Sequence, residues 1–160
     1  MVGPGGATLE IQTVGPGHAA ALARFFDVLR THGVGEWFHP HPLTADAARA
    51  RATYVGGDLY AVLVEGDEVL GYGMLRGWDE GYQVPSLGIA IRPEVQGQGL
   101  GRLMMEFLRA AALRRGAGSI RLRVHPDNVP AVTLYRALGY RLAKEDRGPD
   151  LLGYLDLRRR

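Results

Sequence analysis

No cysteine occurs anywhere in the 160 residues. That absence excludes disulfide cross-links, a thiolate nucleophile and cysteine-ligated zinc or iron sites, and leaves the redox compartment open. Lysine is nearly as scarce. Of the 19 basic residues only Lys144 is not arginine, so lysine-based covalent chemistry has a single candidate. The longest apolar run, Leu59 to Val64, falls far short of the about 18 to 20 residues that span a bilayer. The opening MVGPGGATLE lacks the basic and apolar regions of a signal peptide, so a cytoplasmic protein with no membrane partner is expected. A formal net charge of only +2 gives no reason to expect wholesale nucleic-acid binding, although it suits a phosphate-bearing ligand.

What the chain has in excess is glycine and proline, 23 and 9 residues, which still lies below the roughly 25 to 30% typical of low-complexity sequence. With 46% hydrophobic and 22% charged residues, the composition is that of one globular domain with a core of its own. We expect that domain over residues 7–157, with a flexible leader at 1–6 and a basic tail at 158–160.

Alternation of Leu9, Ile11 and Thr13 with polar neighbours predicts a first strand over Thr8 to Thr13. A helix is expected from His18 to Arg30, and a shorter one from Thr44, an N-cap residue type, to Tyr54. Two strands joined by the turn Glu65-Gly66-Asp67-Glu68 follow, and then a fourth over Val84 to Ile91. After the cluster VQGQGLG, the residues Leu100, Leu103, Met104, Phe107, Leu108 and Ala111 recur with helical spacing. Ser119 to Val124 is a fifth strand, Pro130 to Leu138 a short helix, and Tyr140 to Ala143 and Leu151 to Leu157 complete the sheet. The order predicts an α/β fold, antiparallel in its first half, with one strand-helix-strand crossover.

Strand, glycine-rich turn and helix start follow one another in LGIAIRPEVQGQGLGRLMM, an arrangement suited to anions. Glycines let backbone N–H groups curl around phosphate oxygens, and the first helical turn adds free N–H groups and a favourable dipole. A tight strand-to-helix turn with no ligand would look similar. No Gly-Lys pair exists, which excludes the nucleotide triphosphate loop. The dinucleotide fingerprint fails as well, since its third glycine would fall on Arg102 and its acidic residue on a stretch reading Arg123, Val124, His125.

The segment Gln96-Gly97-Gln98-Gly99-Leu100-Gly101 resembles the pyrophosphate-binding loop of the GNAT N-acetyltransferase superfamily. A second, distant stretch is similar to that family's Asn, Ala, Leu-Tyr, Gly-Phe signature: Asn128, Ala131, Leu134-Tyr135 and Gly139-Tyr140. The resemblance covers essentially residues 7–157 and is best over 87–140. It implies a mixed, mostly antiparallel sheet of six to seven strands flanked by about four helices and splayed between strands 4 and 5, with acetyl-coenzyme A (acetyl-CoA) as cofactor. It further implies that Gln96 to Arg102 cradle the pyrophosphate, that Ile89, Ala90 and Ile91 serve the pantetheine arm and thioester, and that Asn128 touches the same arm. Tyr135 would point its hydroxyl at the sulfur. From the residues alone, Asn128 could equally be only a helix cap and Tyr135 only a core aromatic.

An amine attacking a thioester builds negative charge on the carbonyl oxygen, for which the Ile91 amide is the expected stabiliser. The departing thiolate needs a proton, for which Tyr135 is the expected general acid. A base is harder to find. The Glu that some protein N-terminal acetylating relatives carry on the fifth strand is replaced by Arg123, and the fourth strand VPSLGIAI has no acid, which argues against histone-like acetylation. Asp79, Glu80, Tyr82 and His125 are the remaining candidates. On the acceptor side, Trp37, Phe38, His39 and His41 could form an aromatic wall attractive to a cation, or simply plug the core beneath a loop. His39 and His41 alone do not make a metal site. The expected acceptor is a small-molecule or peptide amine, with homodimerisation open. An acyl-CoA-binding sensor without catalysis is the alternative, and nucleic-acid binding through Arg121, Arg123 and the terminal arginines is a third reading that no motif supports.

Overall fold

A computed structural model describes residues 7–158; the expected leader at 1–6 and the last two residues of the basic tail lie outside the described residues. The elements are β1 (Leu9–Thr13), α1 (Ala19–Thr31), α2 (Ala45–Ala52), β2 (Leu59–Glu65), β3 (Glu68–Arg76), β4 (Ser86–Ile91), α3 (Leu100–Arg114), β5 (Ser119–Val124), α4 (Val129–Ala137), β6 (Arg141–Lys144) and β7 (Leu151–Asp156). Single 3-10 turns at Pro16–His18, Val34–Glu36, Trp78–Glu80 and Pro93–Val95 punctuate the connections. The strands form one sheet in the order β1-β2-β3-β4-β5-β7-β6, antiparallel throughout except between β4 and β5.

Two layers of helix follow from the alternation within the strands. Tyr72 and Met74 of β3 and Ala90 of β4 join Leu22, Phe25, Phe26 and Leu29 of α1 in one core. Leu75, Leu87, Ile91, Ile120, Leu122 and Val124 point the other way and bury Leu100, Met104 and Leu108 of α3 together with Val132 and Tyr135 of α4. Gly73 permits the close seat of α3, because a Cβ there would lie 2.8 Å from Met104 Sδ.

Strand β4 begins at Ser86, two residues later than the apolar pattern predicts, because Pro85 has no N–H to add to a ladder. Its carbonyl instead accepts from Arg121 N–H at 3.0 Å. Thr44 caps α2 as expected, its hydroxyl accepting from Ala47 N–H at 3.1 Å, but α2 stops at Ala52 and Tyr54 turns away to other partners. Tyr140 precedes β6 rather than opening it; its ring is buried 6.0 Å from that of Tyr135.

Candidate active site

The site is built around a failure of pairing. Parallel strands β4 and β5 share a single register pair, Ser86 with Arg121, and diverge from there toward Ile91 and Val124. Which backbone groups face the opening follows from the ladder. Arg92 N–H donates to the Leu70 carbonyl at 2.8 Å, so Arg92 and Leu70 form a hydrogen-bonded pair, and the next pair along, Ile91 with Gly71, is a non-hydrogen-bonded one. Alternation therefore turns the N–H and C=O of Ile89 and Ile91 toward β5, where the ladder has ended, and those of Ala90 toward β3. The bond from Arg121 to Pro85, another odd-numbered residue, has the same parity. The trio expected to serve a ligand is thus divided: Ile89 and Ile91 present backbone groups to the split, and Ala90 presents only a small buried side chain on the α1 face.

The glycine turn stands at the mouth of the split. Gly97 and Gly99 have φ of +80° and +85°, a conformation that L-residues with a Cβ rarely adopt, and a Cβ on either would meet nothing within 4 Å. Their glycine identity therefore serves the backbone path and leaves the space above it open. Gly99 is the N-cap of α3 and no side chain caps the helix, so the amides of Leu100, Gly101 and Arg102 are not satisfied from within it. The Gln96 side chain donates to the Ile91 carbonyl at 3.4 Å, tying the turn to the end of β4. Gln98 and Arg102 are exposed, and the Arg102 guanidinium has no partner among the described residues. Open amides, a helix N-terminus and a free guanidinium fit a diphosphate in both shape and charge.

Helix α4 closes the far side. A Cβ on Gly101 would lie 3.4 Å from Leu134 and 3.9 Å from Ile91, so α4, the start of α3 and the end of β4 converge at one point. Tyr135 is 7% exposed in the same core, and burial pushes its phenol up to about 12. Its hydroxyl has no hydrogen-bond partner among the described residues. The neighbouring Tyr140 hydroxyl is fully buried without a partner, and burial raises it too, with Tyr135 adding to the effect. Asn128 stands at the N-cap of α4, yet its side chain makes no capping bond and stays available.

The acceptor-side candidates separate into two sets. Trp37 is 47% exposed and stacks on His125, ring centroids 6.4 Å apart at 21°, which carries the α1–α2 connection across to the end of β5. Phe38, by contrast, is buried against Tyr72 and faces Gly88 of β4. His39 is exposed. His41 turns inward: its Nδ1 lies 2.8 Å from the Pro42 carbonyl, which can only accept, so its Nε2, 2.9 Å from the Tyr72 hydroxyl, is the acceptor of that bond. Burial holds the His41 imidazole below its ordinary value. Arg76 donates to the Pro40 carbonyl at 2.8 Å. Tyr72 and Arg76 are thus the residues that seat this segment, and only their place on the inward face of β3 could have pointed to them.

Asp79, Glu80 and Tyr82 lie elsewhere. They follow Arg76, whose register partner is Ser86, five residues and therefore about 16 Å along β4 from Ile91. Asp79 accepts from the Tyr54 hydroxyl and from Gly57 N–H, and the Tyr54 bond first of all holds its carboxyl below the usual range. Glu80 and Tyr82 are exposed. His125 accepts from Asp127 N–H at 3.1 Å, a turn bond, while its ring meets Trp37. Among the described residues no cluster of three or more metal-ligand side chains exists, and no helix is long and apolar enough to cross a membrane.

Residues 22–140 match the acetyltransferase (GNAT) family model. Thialysine N-ε-acetyltransferase of Bos taurus is 30% identical over 126 residues, covering 76% of this chain and 68% of that enzyme. The ribosomal protein bS18-alanine N-acetyltransferase of Escherichia coli (strain K12) is 40% identical over 52 residues, 32% of this chain, and the match spans only 35% of that enzyme's length. Among solved structures, the GNAT domain of S. lividans PAT superposes with a TM-score of 0.79 at 16% identity, over 94% of this chain and 92% of that one. Salmonella typhimurium yncA, solved with its cofactor acetyl-CoA, gives 0.72 at 23%, over 93% and 94%.

Proposed function

The chain belongs to the acetyltransferase (GNAT) family, and from that premise we propose that it is an acetyl-CoA-dependent N-acetyltransferase acting on the primary amine of a small molecule. One observation carries the reading: an uncapped, left-handed glycine turn stands at the mouth of a split lined by β4 backbone groups that β5 does not pair. A diphosphate and an extended amide-bearing arm need those two features side by side. Two relatives of the chain are N-acetyltransferases by name, one for thialysine and one for a ribosomal protein alanine.

In this reading the amides from Gly97 to Gly101, with Arg102, hold the diphosphate, and Gln96 keeps their turn fixed to β4. Backbone groups of Ile89 and Ile91 line the arm, with the Asn128 side chain opposite. Acetyl-CoA supplies the acyl group already activated as a thioester. The Ile91 N–H stabilises charge building on the carbonyl oxygen, in a split whose sides are apolar and therefore strengthen the interaction. Tyr135, kept neutral by burial, gives its proton to the departing sulfur. Trp37 and His125 roof the approach of the amine.

A non-catalytic acyl-CoA-binding module is the second reading, favoured by the absence of an acid on β4 and by the engagement of Asp79 with Tyr54 and Gly57. Calorimetric titration with coenzyme A and a thiol-release assay over a panel of amines distinguish the two. Binding together with amine-dependent thiol release is expected. Binding without release from any amine would establish the module, and no binding at all would end both readings.

A further inference from the structure

Among the described residues, three of the five half-buried arginines are engaged, and Arg109 and Arg121 are not. Arg92 pairs with Glu68 and Glu94, Arg76 donates to the Pro40 carbonyl, and Arg51 donates to the Tyr60 hydroxyl. Arg121 is different. It sits at the root of the split, in register with Ser86 of β4 and Tyr154 of β7, and its guanidinium has no hydrogen bond, ion pair or ring contact among the described residues. Its orientation follows from the strand: Ile120, Leu122 and Val124 bury against α3, so Arg121 and Arg123 emerge on the opposite face. That is the face of Ser86, Gly88 and Ala90 on β4, the face over which the segment bearing Trp37 and Phe38 is laid. Arg121 therefore lies on the side from which an acceptor approaches.

The carboxylates nearest it are engaged by other groups. Arg123, one step further along β5, is neutralised by Glu145, and Asp156 on the same face of β7 is taken up by Arg158. The flanking positions in its own row are Ser86, Tyr154 and, one strand further on each side, Arg76 and Arg141. A diphosphate at the glycine turn is out of range, because the turn begins five residues beyond Ile91 and Ile91 is itself about 16 Å along β4 from the level of Arg121. A half-buried arginine whose guanidinium has no partner among the described residues, set between a hydroxyl and a tyrosine, is a planar two-pronged site for a carboxylate.

Resting on the acetyltransferase reading above, we propose that Arg121 is a specificity-determining residue that binds a carboxylate on the acceptor, so that the protein selects amines whose carboxylate lies several bonds from the reacting nitrogen. The spacing sets that separation. Ile91, whose N–H would face the thioester, is five residues, about 16 Å, from the level of Ser86, and a flexible arginine covers part of the interval while the acceptor covers the rest. The ω-amine of a diamino acid meets this requirement, and so does the N-terminal amine of a peptide with an acidic residue a few positions in.

Matched pairs test it. L-lysine and cadaverine differ by the carboxylate, and two alanine-started tetrapeptide amides with Glu or Gln at the third position do the same for the peptide source. KM for each is measured with saturating acetyl-CoA, using the wild type, Arg121→Gln, Arg121→Lys and, as a charge-matched control on α2, Arg49→Gln. The wild type is expected to favour the carboxylate member of one pair by about tenfold to a hundredfold, the pair telling free amino acid from peptide. Arg121→Gln abolishes that ratio, Arg121→Lys keeps part of it, and Arg49→Gln keeps all of it. Equal KM within both pairs, or a ratio unmoved in Arg121→Gln, overturns the inference while leaving acetyl transfer intact. If no amine is acetylated, it is the acetyltransferase reading that fails. The same pairs are then titrated into coenzyme A-saturated protein and followed by NMR, where binding with no carboxylate preference, or no binding, overturns the inference as well.

Discussion

At the scale of the residue, the proposed chemistry turns on a phenol held neutral. Burial pushes the Tyr135 phenol up to about 12, against an ordinary value near 10. Because the folded value is the higher one, the associated stabilisation is present in full below about pH 10 and is lost as pH climbs from there through 12. The phenol proposed as proton donor therefore stays protonated through the range in which an amine acceptor becomes neutral. Replacing Tyr135 with Phe removes the hydroxyl and almost no packing, and kcat is expected to fall by about a hundredfold or more with coenzyme A affinity nearly unchanged. Wild-type kcat against pH should also show no tyrosine-dependent loss below about pH 11, given the elevated phenol. An undiminished kcat in Tyr135→Phe would remove this side chain from proton transfer.

At the scale of the element, the turn into α3 depends on backbone handedness. Gly99 sits at φ +85° with open space where a Cβ would go, so substitution is opposed by the backbone and not by crowding. A left-handed conformation costs a residue with a Cβ roughly 1 to 2 kcal/mol, and a β-branched one more. Gly99→Val should reshape the turn, weaken coenzyme A at least about tenfold by calorimetry, and lower the melting temperature by only a few degrees. Unaltered affinity would mean that the turn does not hold the diphosphate. Much at this scale is legible in the sequence, since β5 lies between Gly118 and His125-Pro126 and α3 announces itself by its spacing. What periodicity misses is tertiary. Nothing local ties Tyr54 to Asp79, Trp37 to His125 or His41 to Tyr72, because each pair is joined only when separate elements close on one another. The same reasoning explains why Phe38 and His41, adjacent in pattern to Trp37, end on the inside: Tyr72, a fully buried tyrosine on β3, draws both toward it.

At the scale of the molecule, the protein is two half-sheets, β1 to β4 and β5-β7-β6, that meet at one register pair and part company beyond it. Helix α3 bridges them on one face, while Trp37 and His125 touch across the gap on the other. The family resemblance anticipates the splay, but no composition or spacing argument reaches it, since β4 and β5 both read as ordinary central strands.

The parting of those strands also sets a clock on individual protons. Amides in the middle of a sheet normally exchange with solvent deuterium last, yet here neighbours along a single strand should differ: Arg92, bonded to Leu70, is locked, whereas Ile89 and Ile91 face the gap. In the free protein these two amides should exchange well before those of Ala90 and Arg92, and coenzyme A should bring them into line with their neighbours. An Ile91 amide that is already slow without cofactor would mean that the gap closes on itself in solution. If the alternation is seen, the ligand acts as a missing strand between the two half-sheets, and deuterium uptake along β4 alone reports its arrival.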